Sequence, residues 1–143
     1  MKRATLGAQS GFAFPVRVYY EDTDAGGVVY YANYLKFLER ARTEWLRSAG
    51  IEQPELLREH NVIFVVRAVT IEYLRPARFN DALRVTAQIN KAGRSTLEIF
   101  QTVERDRRLI EAQVKIVCVE HSSFKPVSIP APIRQQLESL APA

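Results

Sequence analysis

Three segments in the second half of the chain alternate apolar and polar residues with the period of a β-strand, and very short links join them. An alternation of this kind predicts strands with one apolar face each. The links at residues 91–94 and 106–108 are too short for a parallel crossover, so the strands must pair as antiparallel hairpins. The chain is therefore restricted to an antiparallel sheet whose apolar face needs a cover. The alternating segments are 83–89, 97–103 and 110–118.

One predicted helix is long and apolar enough to cover that face. Apolar residues recur at helical spacing from Tyr34 to Ala49, on a surface wider than a single stripe. We expect the Asn33 side chain to cap this helix by accepting a hydrogen bond from a first-turn N–H. Gly50, followed by Ile51, is expected to end it. The pattern predicts an α+β protein of the hotdog architecture, an antiparallel sheet wrapped around one long central helix.

Composition indicates an ordinary globular protein, with 143 residues and a net charge of +4. We expect a single domain over residues 1–143, with a flexible N-terminal segment at 1–11 and a C-terminal tail at 124–143 that contains a short helix at 133–140. The basic residues are scattered, which argues against nucleic acid as a partner. No segment is typical of a signal peptide or a membrane span, so a cytoplasmic protein is expected. Cys118, the single cysteine, is predicted to lie in the core.

The most informative segment for function follows the first predicted strand, Phe12–Tyr20. Two acids one residue apart, Asp22 and Asp24, precede the pair Gly26-Gly27 and then the long helix. The start of a helix offers unpaired N–H groups and a partial positive charge, which suit an oxygen that becomes negative during a reaction. A carboxylate, a turn and a helix N-terminus together indicate a hydrolytic site that needs no Ser, His or Cys.

The same segment carries a family resemblance. Residues 16–30, VRVYYEDTDAGGVVY, with Asn33-Tyr34 and residues 39–44, strongly resemble the hotdog-fold acyl-CoA thioesterases. Within these, the chain is most similar to the Tol–Pal-associated branch of the 4-hydroxybenzoyl-CoA thioesterase family. The resemblance implies hydrolysis of a fatty-acyl or aromatic acyl-CoA to the free acid and CoA. It also implies a dimer or homotetramer with active sites at the subunit interface, and an acyl carrier protein as a second candidate partner. No cofactor is expected, and a metal site has little support because His60 and His121 lie far apart with no neighbouring ligand pattern.

The resemblance also assigns site residues. Asp24 is implied as the catalytic carboxylate, acting either as a nucleophile or as a general base on water, and the backbone N–H of Tyr31 as the oxyanion donor. Many members of the branch carry a histidine where this chain has Tyr31. The candidate substrate-binding residues are Gly26 and Gly27 in the turn, Tyr30 and Tyr34 at an acyl pocket, and Lys91, Arg94 and Ser95 near the CoA phosphates.

Each of these residues also has a structural interpretation. The glycines can serve the turn alone, the tyrosines can belong to the core, and the basic residues at 91–94 can be solvated hairpin charges. Asp22 is expected to hold the loop through bonds to backbone N–H groups. Arg67 interrupts the apolar run of the long strand Val62–Leu74, and its role is open.

Two other functions compete with a thioesterase. A strand followed by Asp22-Thr23-Asp24 superficially fits a phosphatase of the haloacid dehalogenase type. That chemistry needs Mg²⁺ and a parallel sheet, and the predicted antiparallel hairpins argue against it. The second competing function is that of a non-catalytic hotdog protein that binds acyl-CoA or acyl carrier protein, because the fold alone does not determine the function.

Overall fold

The computed structural model describes residues 11–140. The predicted flexible segment 1–11 therefore lies outside the described residues, apart from Gly11, and so does the end of the tail at 141–143. The elements are strand β1 (Phe12–Arg17), two short 3-10 turns (Tyr20–Asp22 and Tyr31–Asn33), helices α1 (Tyr34–Ser48) and α2 (Gln53–His60), strands β2 (Val62–Tyr73), β3 (Ala82–Ala92), β4 (Thr96–Glu104) and β5 (Arg108–Glu120), and helix α3 (Ala131–Glu138). No helix among the described residues is long and apolar enough to cross a membrane.

The strands form one antiparallel sheet in the order β1-β3-β4-β5-β2. The predicted hairpins β3–β4 and β4–β5 are confirmed, and α1 lies against the apolar face as the predicted fold requires. The first strand is shorter than predicted, because it ends at Arg17 and residues 20–22 turn away as a 3-10 segment. The predicted α+β hotdog architecture is correct.

The end of α1 follows the predicted chemistry. Gly50 adopts a φ of +83°, and its N–H donates to the carbonyl of Arg47 at 2.9 Å. The N–H of Ile51 donates to the carbonyl of Leu46 at 3.0 Å, and the Ile51 side chain is buried. These two bonds satisfy the last helical carbonyls in the manner of a Schellman motif, which requires a residue at positive φ.

Strand β2 lies at the edge of the sheet and carries a bulge at Arg67. The register shifts between Val66, opposite Ile116, and Ala68, opposite Lys115. Val69 then pairs with Val114, so the bulge returns the apolar residues of β2 to the helix side of the sheet. Arg67 is the extra residue and is exposed, which gives the interrupted pattern a structural reason. Three large apolar side chains of this edge strand, Val66, Val69 and Tyr73, remain exposed.

The sheet has two distinct ends, which α1 separates. At the start of α1, the Tyr34 hydroxyl accepts a hydrogen bond from the N–H of Ala77 at 3.0 Å. At the other end, Arg134 of α3 donates to the carbonyl of Gly93 at 2.7 Å, in the β3–β4 turn. A helix of 15 residues is about 22 Å long. We call these the Asp24 end, at the start of α1, and the Gly50 end, where α1 finishes; both names refer to ends of the sheet.

Candidate active site

The Asp24 loop is a tight hairpin between residues 23 and 29. The N–H of Asp24 donates to the carbonyl of Val28 at 2.9 Å, and the N–H of Gly27 donates to the carbonyl of Asp24 at 3.0 Å. Gly27 has a φ of +81°, which closes a three-residue loop of the type that ends in a left-handed residue. Glycine is needed at this position because other residues adopt that conformation only with strain.

The Asp24 carboxylate is exposed and only half engaged. Its Oδ1 accepts a hydrogen bond from the N–H of Gly26 at 2.8 Å. Among the described residues no donor reaches Oδ2. A Cβ atom at Gly26 would lie 3.3 Å from Oδ1, so the absence of a side chain there leaves room for the carboxylate. The loop therefore orients one oxygen and leaves the other for a water or a substrate.

Asp22 has a different environment, since it is buried and its carboxylate is fully engaged. Oδ2 accepts from the N–H of Tyr19 at 2.8 Å, and Oδ1 accepts from the side-chain amide of Asn33 at 2.7 Å. The structural role expected of Asp22 is confirmed. The prediction that Asn33 caps α1 through its side chain is wrong, because no such cap bond forms and the Asn33 amide donates to Asp22 instead.

Tyr31 begins the helical segment that leads into α1, as the proposed oxyanion donor must. At the first position of a helical turn the N–H has no acceptor within the helix. No other acceptor for this N–H is found among residues 11–140. The side chain is 62% exposed, and its ring lies 6.3 Å from the ring of Tyr73, edge to face. The structure therefore leaves the backbone N–H of Tyr31 without an acceptor among the described residues.

The two other tyrosines of the predicted pocket differ in burial. Tyr30 is exposed, and its ring centroid lies 5.0 Å from that of Tyr31. Tyr34 is only 2% exposed, and burial raises the pKa of its phenol. With its hydroxyl bonded to the N–H of Ala77, Tyr34 packs in the core, which is the alternative interpretation of this residue.

The predicted phosphate-binding residues lie at the Gly50 end, away from Asp24. The Arg94 guanidinium donates to the hydroxyl of Ser128 at 2.5 Å, and the carbonyl of Ser95 accepts from the N–H of Cys118 at 2.7 Å. Lys91 is exposed at the end of β3. Within one chain the structure does not bring these residues to the Asp24 loop.

A cleft between α1 and β2, of ≈ 130 Å³, is a feature that the sequence did not indicate. The helix contributes three polar side chains, and the strands contribute mainly apolar ones. It is lined by Glu39, Arg42, Thr43, Leu46, Gln53, Phe64, Val66, Ile99 and Ile116. Its position beside the exposed edge strand means that anything covering β2 also covers the cleft.

Gln101 fixes the polar wall of this cleft. Its buried amide nitrogen donates to the carbonyls of Leu38 and Thr86, each at 3.1 Å, and its oxygen accepts from Arg42 at 3.1 Å. Burial lowers the pKa of the Arg42 guanidinium. The only indication of this role in the sequence is a glutamine in the apolar phase of β4, where a buried amide must find partners.

Among residues 11–140, no cluster of His, Cys, Asp and Glu suits a metal ion.

The antiparallel sheet wrapped around α1, with an acidic loop at the start of that helix, places the protein in the class of hotdog-fold proteins. The family model of the Thioesterase-like superfamily matches residues 18–137, and the chain belongs to this family. The predicted resemblance to hotdog-fold thioesterases is thereby confirmed. The prediction of a thioester hydrolase is confirmed by the relatives described next, while the Tol–Pal branch stays a prediction. The antiparallel sheet contradicts the rival phosphatase.

Individual relatives agree with the family. The chain is 43% identical to "Acyl-CoA thioesterase YbgC" of Haemophilus influenzae over 92% of this chain and 97% of the relative. It is 47% identical to "Acyl-CoA thioester hydrolase YbgC" of Escherichia coli over 85% of this chain and 92% of the relative. The crystal structure of a probable thioesterase from Bartonella henselae matches with a TM-score of 0.80 and 33% identity, over 85% of this chain and 100% of that one.

Proposed function

We propose that the protein hydrolyses acyl-CoA thioesters and that Asp24 is the catalytic carboxylate. The observation that carries the proposal is an exposed aspartate with one oriented oxygen and one unengaged oxygen, in a loop that leads directly to an unpaired helix-start amide. The relatives named as acyl-CoA thioesterases support CoA as the thiol. No metal or cofactor enters the proposed chemistry.

Two routes are consistent with this geometry. In the first, a carboxylate oxygen of Asp24 attacks the thioester carbonyl, the C–S bond breaks, and CoA leaves as a thiolate that takes a proton. Water then cleaves the mixed anhydride and restores the aspartate. In the second, Asp24 takes a proton from a water that attacks the carbonyl directly. The C–S bond then breaks, CoA leaves as a thiolate, and the proton held by Asp24 passes to that thiolate, which restores the carboxylate.

Both routes place negative charge on the carbonyl oxygen. The backbone N–H of Tyr31 is the proposed donor to that oxygen, and one such donor contributes on the order of 3 kcal/mol to lowering the barrier. The Gly26-Gly27 pair presents no side chain that would hinder the thioester from approaching Asp24. The exposed rings of Tyr30 and Tyr31 are proposed to contact the substrate at the mouth of the site.

A second copy of the chain is proposed to complete the site. Strand β2 is a long edge strand with exposed apolar residues, which favours pairing with the same strand of another copy. An antiparallel β2–β2 pair would bring the Asp24 end of one copy beside the cleft and the β3–β4 turn of the other. Lys91, Arg94 and Ser95 would then reach the substrate across the interface. A dimer of this kind is also the unit from which the expected homotetramer would be built.

The cleft is the proposed site of the acyl group. An engineered apolar cavity of about 150 Å³ binds benzene, so ≈ 130 Å³ suits a single ring or a short alkyl chain. Phe64, Val66 and Leu46 supply its apolar surface, and Arg42 supplies a donor for a polar acyl substituent.

The cytoplasmic location, the Tol–Pal association and an acyl carrier protein partner stay predictions made from the sequence.

Asp24→Asn tests the proposal, because the amide keeps the shape of the side chain but is neither nucleophile nor base. We expect thioester cleavage, followed as released thiol with a chromogenic reagent, to fall by on the order of 10³-fold or more. The melting temperature and acyl-CoA binding should stay unchanged. Asp106→Asn, at an exposed turn carboxylate, is the matched control and should keep full activity. Unchanged turnover in Asp24→Asn would refute the assignment, and binding without any turnover in the unmodified protein would favour the non-catalytic alternative.

A further inference from the structure

The C-terminal segment that leads into α3 holds the β3–β4 turn by its backbone carbonyls. Arg134 of α3 donates from Nη2 to the carbonyl of Gly93 at 2.7 Å and to the carbonyl of Arg94 at 2.9 Å. The N–H of Ile129 donates to the same Arg94 carbonyl at 2.9 Å. A carbonyl oxygen has two lone pairs, so the Arg94 carbonyl is fully engaged. Two successive carbonyls of the turn are thus bound to one segment of the chain.

These bonds determine where the N–H groups of the turn point. In a planar trans peptide the N–H points away from the carbonyl that precedes it, and the peptide bonds of the turn are trans. Because the carbonyls of Gly93 and Arg94 point towards the C-terminal segment, the N–H groups of Arg94 and Ser95 point away from it. Neither N–H has an acceptor among residues 11–140. Successive N–H groups in a turn form anion-binding concavities.

The side chains around the turn add positive charge. Lys91 and Arg94 are exposed, and neither these two nor Arg134 forms an ion pair in the described part of the chain. Glu98 lies opposite Lys91 in the hairpin register without pairing with it, and the partner of the Arg94 guanidinium is the neutral hydroxyl of Ser128. Ammonium and guanidinium groups bind phosphate oxygens through charge-assisted hydrogen bonds. The turn therefore combines unpaired N–H groups with uncompensated cations.

We propose that Arg134 is a positioning residue for the binding of the CoA phosphates at this turn. It acts through the backbone, because engaging the carbonyls of Gly93 and Arg94 presents the N–H groups of Arg94 and Ser95 to phosphate oxygens. Without Arg134 the Gly93 carbonyl loses that donor. Glycine populates more backbone conformations than other residues, so the peptide after Gly93 can then rotate and turn its oxygen, which repels phosphate, towards the ligand. The inference rests on the proposed function, since that function brings CoA to this turn.

An acyl-CoA and the same acyl group on pantetheine, which carries no phosphate, separate phosphate binding from other effects. We expect Arg134→Gln to raise KM for the acyl-CoA by about fivefold, the factor that corresponds to the loss of one typical hydrogen bond. The kcat should stay unchanged, and so should both constants for acyl-pantetheine. Helix α3 should stay docked in this variant because Ile133 and Leu137 are buried, which a melting curve checks. Gln135→Ala, at the next and exposed residue of α3, is the matched control and should behave as the unmodified protein.

Binding can also be measured without catalysis. Titration of the intact protein with adenosine 3′,5′-bisphosphate should show weaker binding in Arg134→Gln by the same factor. Amide NMR then follows the turn itself: the resonances of Arg94 and Ser95 should shift on saturation with this ligand in the unmodified protein and shift less in Arg134→Gln. Resonances that do not respond, or that respond equally in both proteins, would overturn the proposal.

The kinetics provide two further outcomes that would overturn it. Equal increases in KM for both substrates would mean that Arg134 supports the fold rather than the phosphate site. An unchanged KM for the acyl-CoA in Arg134→Gln would mean that the turn keeps its conformation without Arg134, and a rise in Arg94→Gln would then show that the phosphate site itself stands. Failure of the proposed function looks different: Asp24→Asn would then still cleave both substrates.

Discussion

Asn33 donates a hydrogen bond of 2.7 Å from its side-chain amide to the buried carboxylate of Asp22. The same carboxylate accepts from the N–H of Tyr19 at 2.8 Å, and the Asp22 carbonyl accepts from the N–H of Tyr30 at 2.9 Å. Asp22 thus joins the segment before the Asp24 loop to the residues that start the helix. The spatial relation between the proposed catalytic carboxylate and the proposed oxyanion donor depends on this buried connection.

Replacement of Asn33 should therefore affect both stability and activity. Asn33→Ala leaves Oδ1 of the buried Asp22 without a partner, which should lower the free energy of unfolding by about 1–3 kcal/mol. Because the variant loses one of the two bonds by which Asp22 connects the Asp24 loop to the helix start, kcat should fall as well. Denaturant unfolding and thiol release measure the two effects. A variant as stable and as active as the unmodified protein would contradict this role for the bond.

The two glycines of the loop should respond differently to alanine. Gly27 has a φ of +81°, so Gly27→Ala should destabilise the protein by about 1–2 kcal/mol. Gly26→Ala brings a Cβ to 3.3 Å from Oδ1 of Asp24 and must displace the carboxylate. We expect roughly a tenfold loss of kcat in Gly26→Ala, since small misplacements of a reacting group are costly, with little change in melting temperature. Equal losses of stability in both variants would argue against a distinct role for Gly26.

Features set by local chemistry could be predicted from the sequence. The end of α1 was predicted correctly because a glycine followed by an apolar residue satisfies the last carbonyls by itself. The hairpins followed from link length alone. Asn33 was predicted wrongly, because its amide finds a partner eleven residues away in Asp22 and that buried carboxylate takes precedence over the cap.

Features that depend on distant contacts were not predictable. The bulge at Arg67 appears only once β2 is aligned with β5, and the role of Gln101 only once α1 is packed on the sheet. The turn with Lys91 and Arg94 lies at the Gly50 end because of strand order, which its own residues do not encode. For the same reason the cleft beside Arg42 could not be predicted from the sequence, since the helix and the strands contribute residues to it from distant positions in the chain.

The edge strand β2 provides a test of the proposed assembly. Val69 is 38% exposed on the helix side of that strand, and a charge on an edge strand opposes pairing with another copy. Val69→Lys should therefore convert a dimer or tetramer to the monomer, measured by sedimentation or light scattering. Activity should fall with it if the site is shared between copies. Arg17→Gln, which removes an exposed charge from β1 at the opposite edge of the sheet, should keep the assembly. An unmodified protein that is monomeric but active would contradict the shared site.

Gln101 should stabilise the packing of α1 on the sheet. Gln101→Leu keeps the side-chain volume close to that of glutamine but leaves the guanidinium of Arg42 without its amide partner. We expect the free energy of unfolding to fall by about 1–3 kcal/mol. Removal of both partners in Gln101→Leu with Arg42→Met should be less harmful than the sum of the single changes. Additive effects in such a double-mutant cycle, measured by denaturant unfolding, would show that the two side chains act independently.

Cys118 should make stability depend on pH in the alkaline range. Its thiol is buried in β5, and burial raises its pKa above the ordinary value. In the unfolded chain the thiol ionises near its ordinary pKa of about 8.5, while the folded thiol stays neutral. The unfolded state thus releases its proton first. The neutral thiol therefore does not lower the free energy of unfolding below that pH, and this free energy falls as the pH rises from the unfolded pKa towards the raised pKa of the folded thiol. We expect the melting temperature to fall between pH 8 and 10 more in the unmodified protein than in Cys118→Val, whose side chain is similar in size and does not titrate. Iodoacetamide should label the thiol only after unfolding, and rapid labelling of the native protein would contradict its burial.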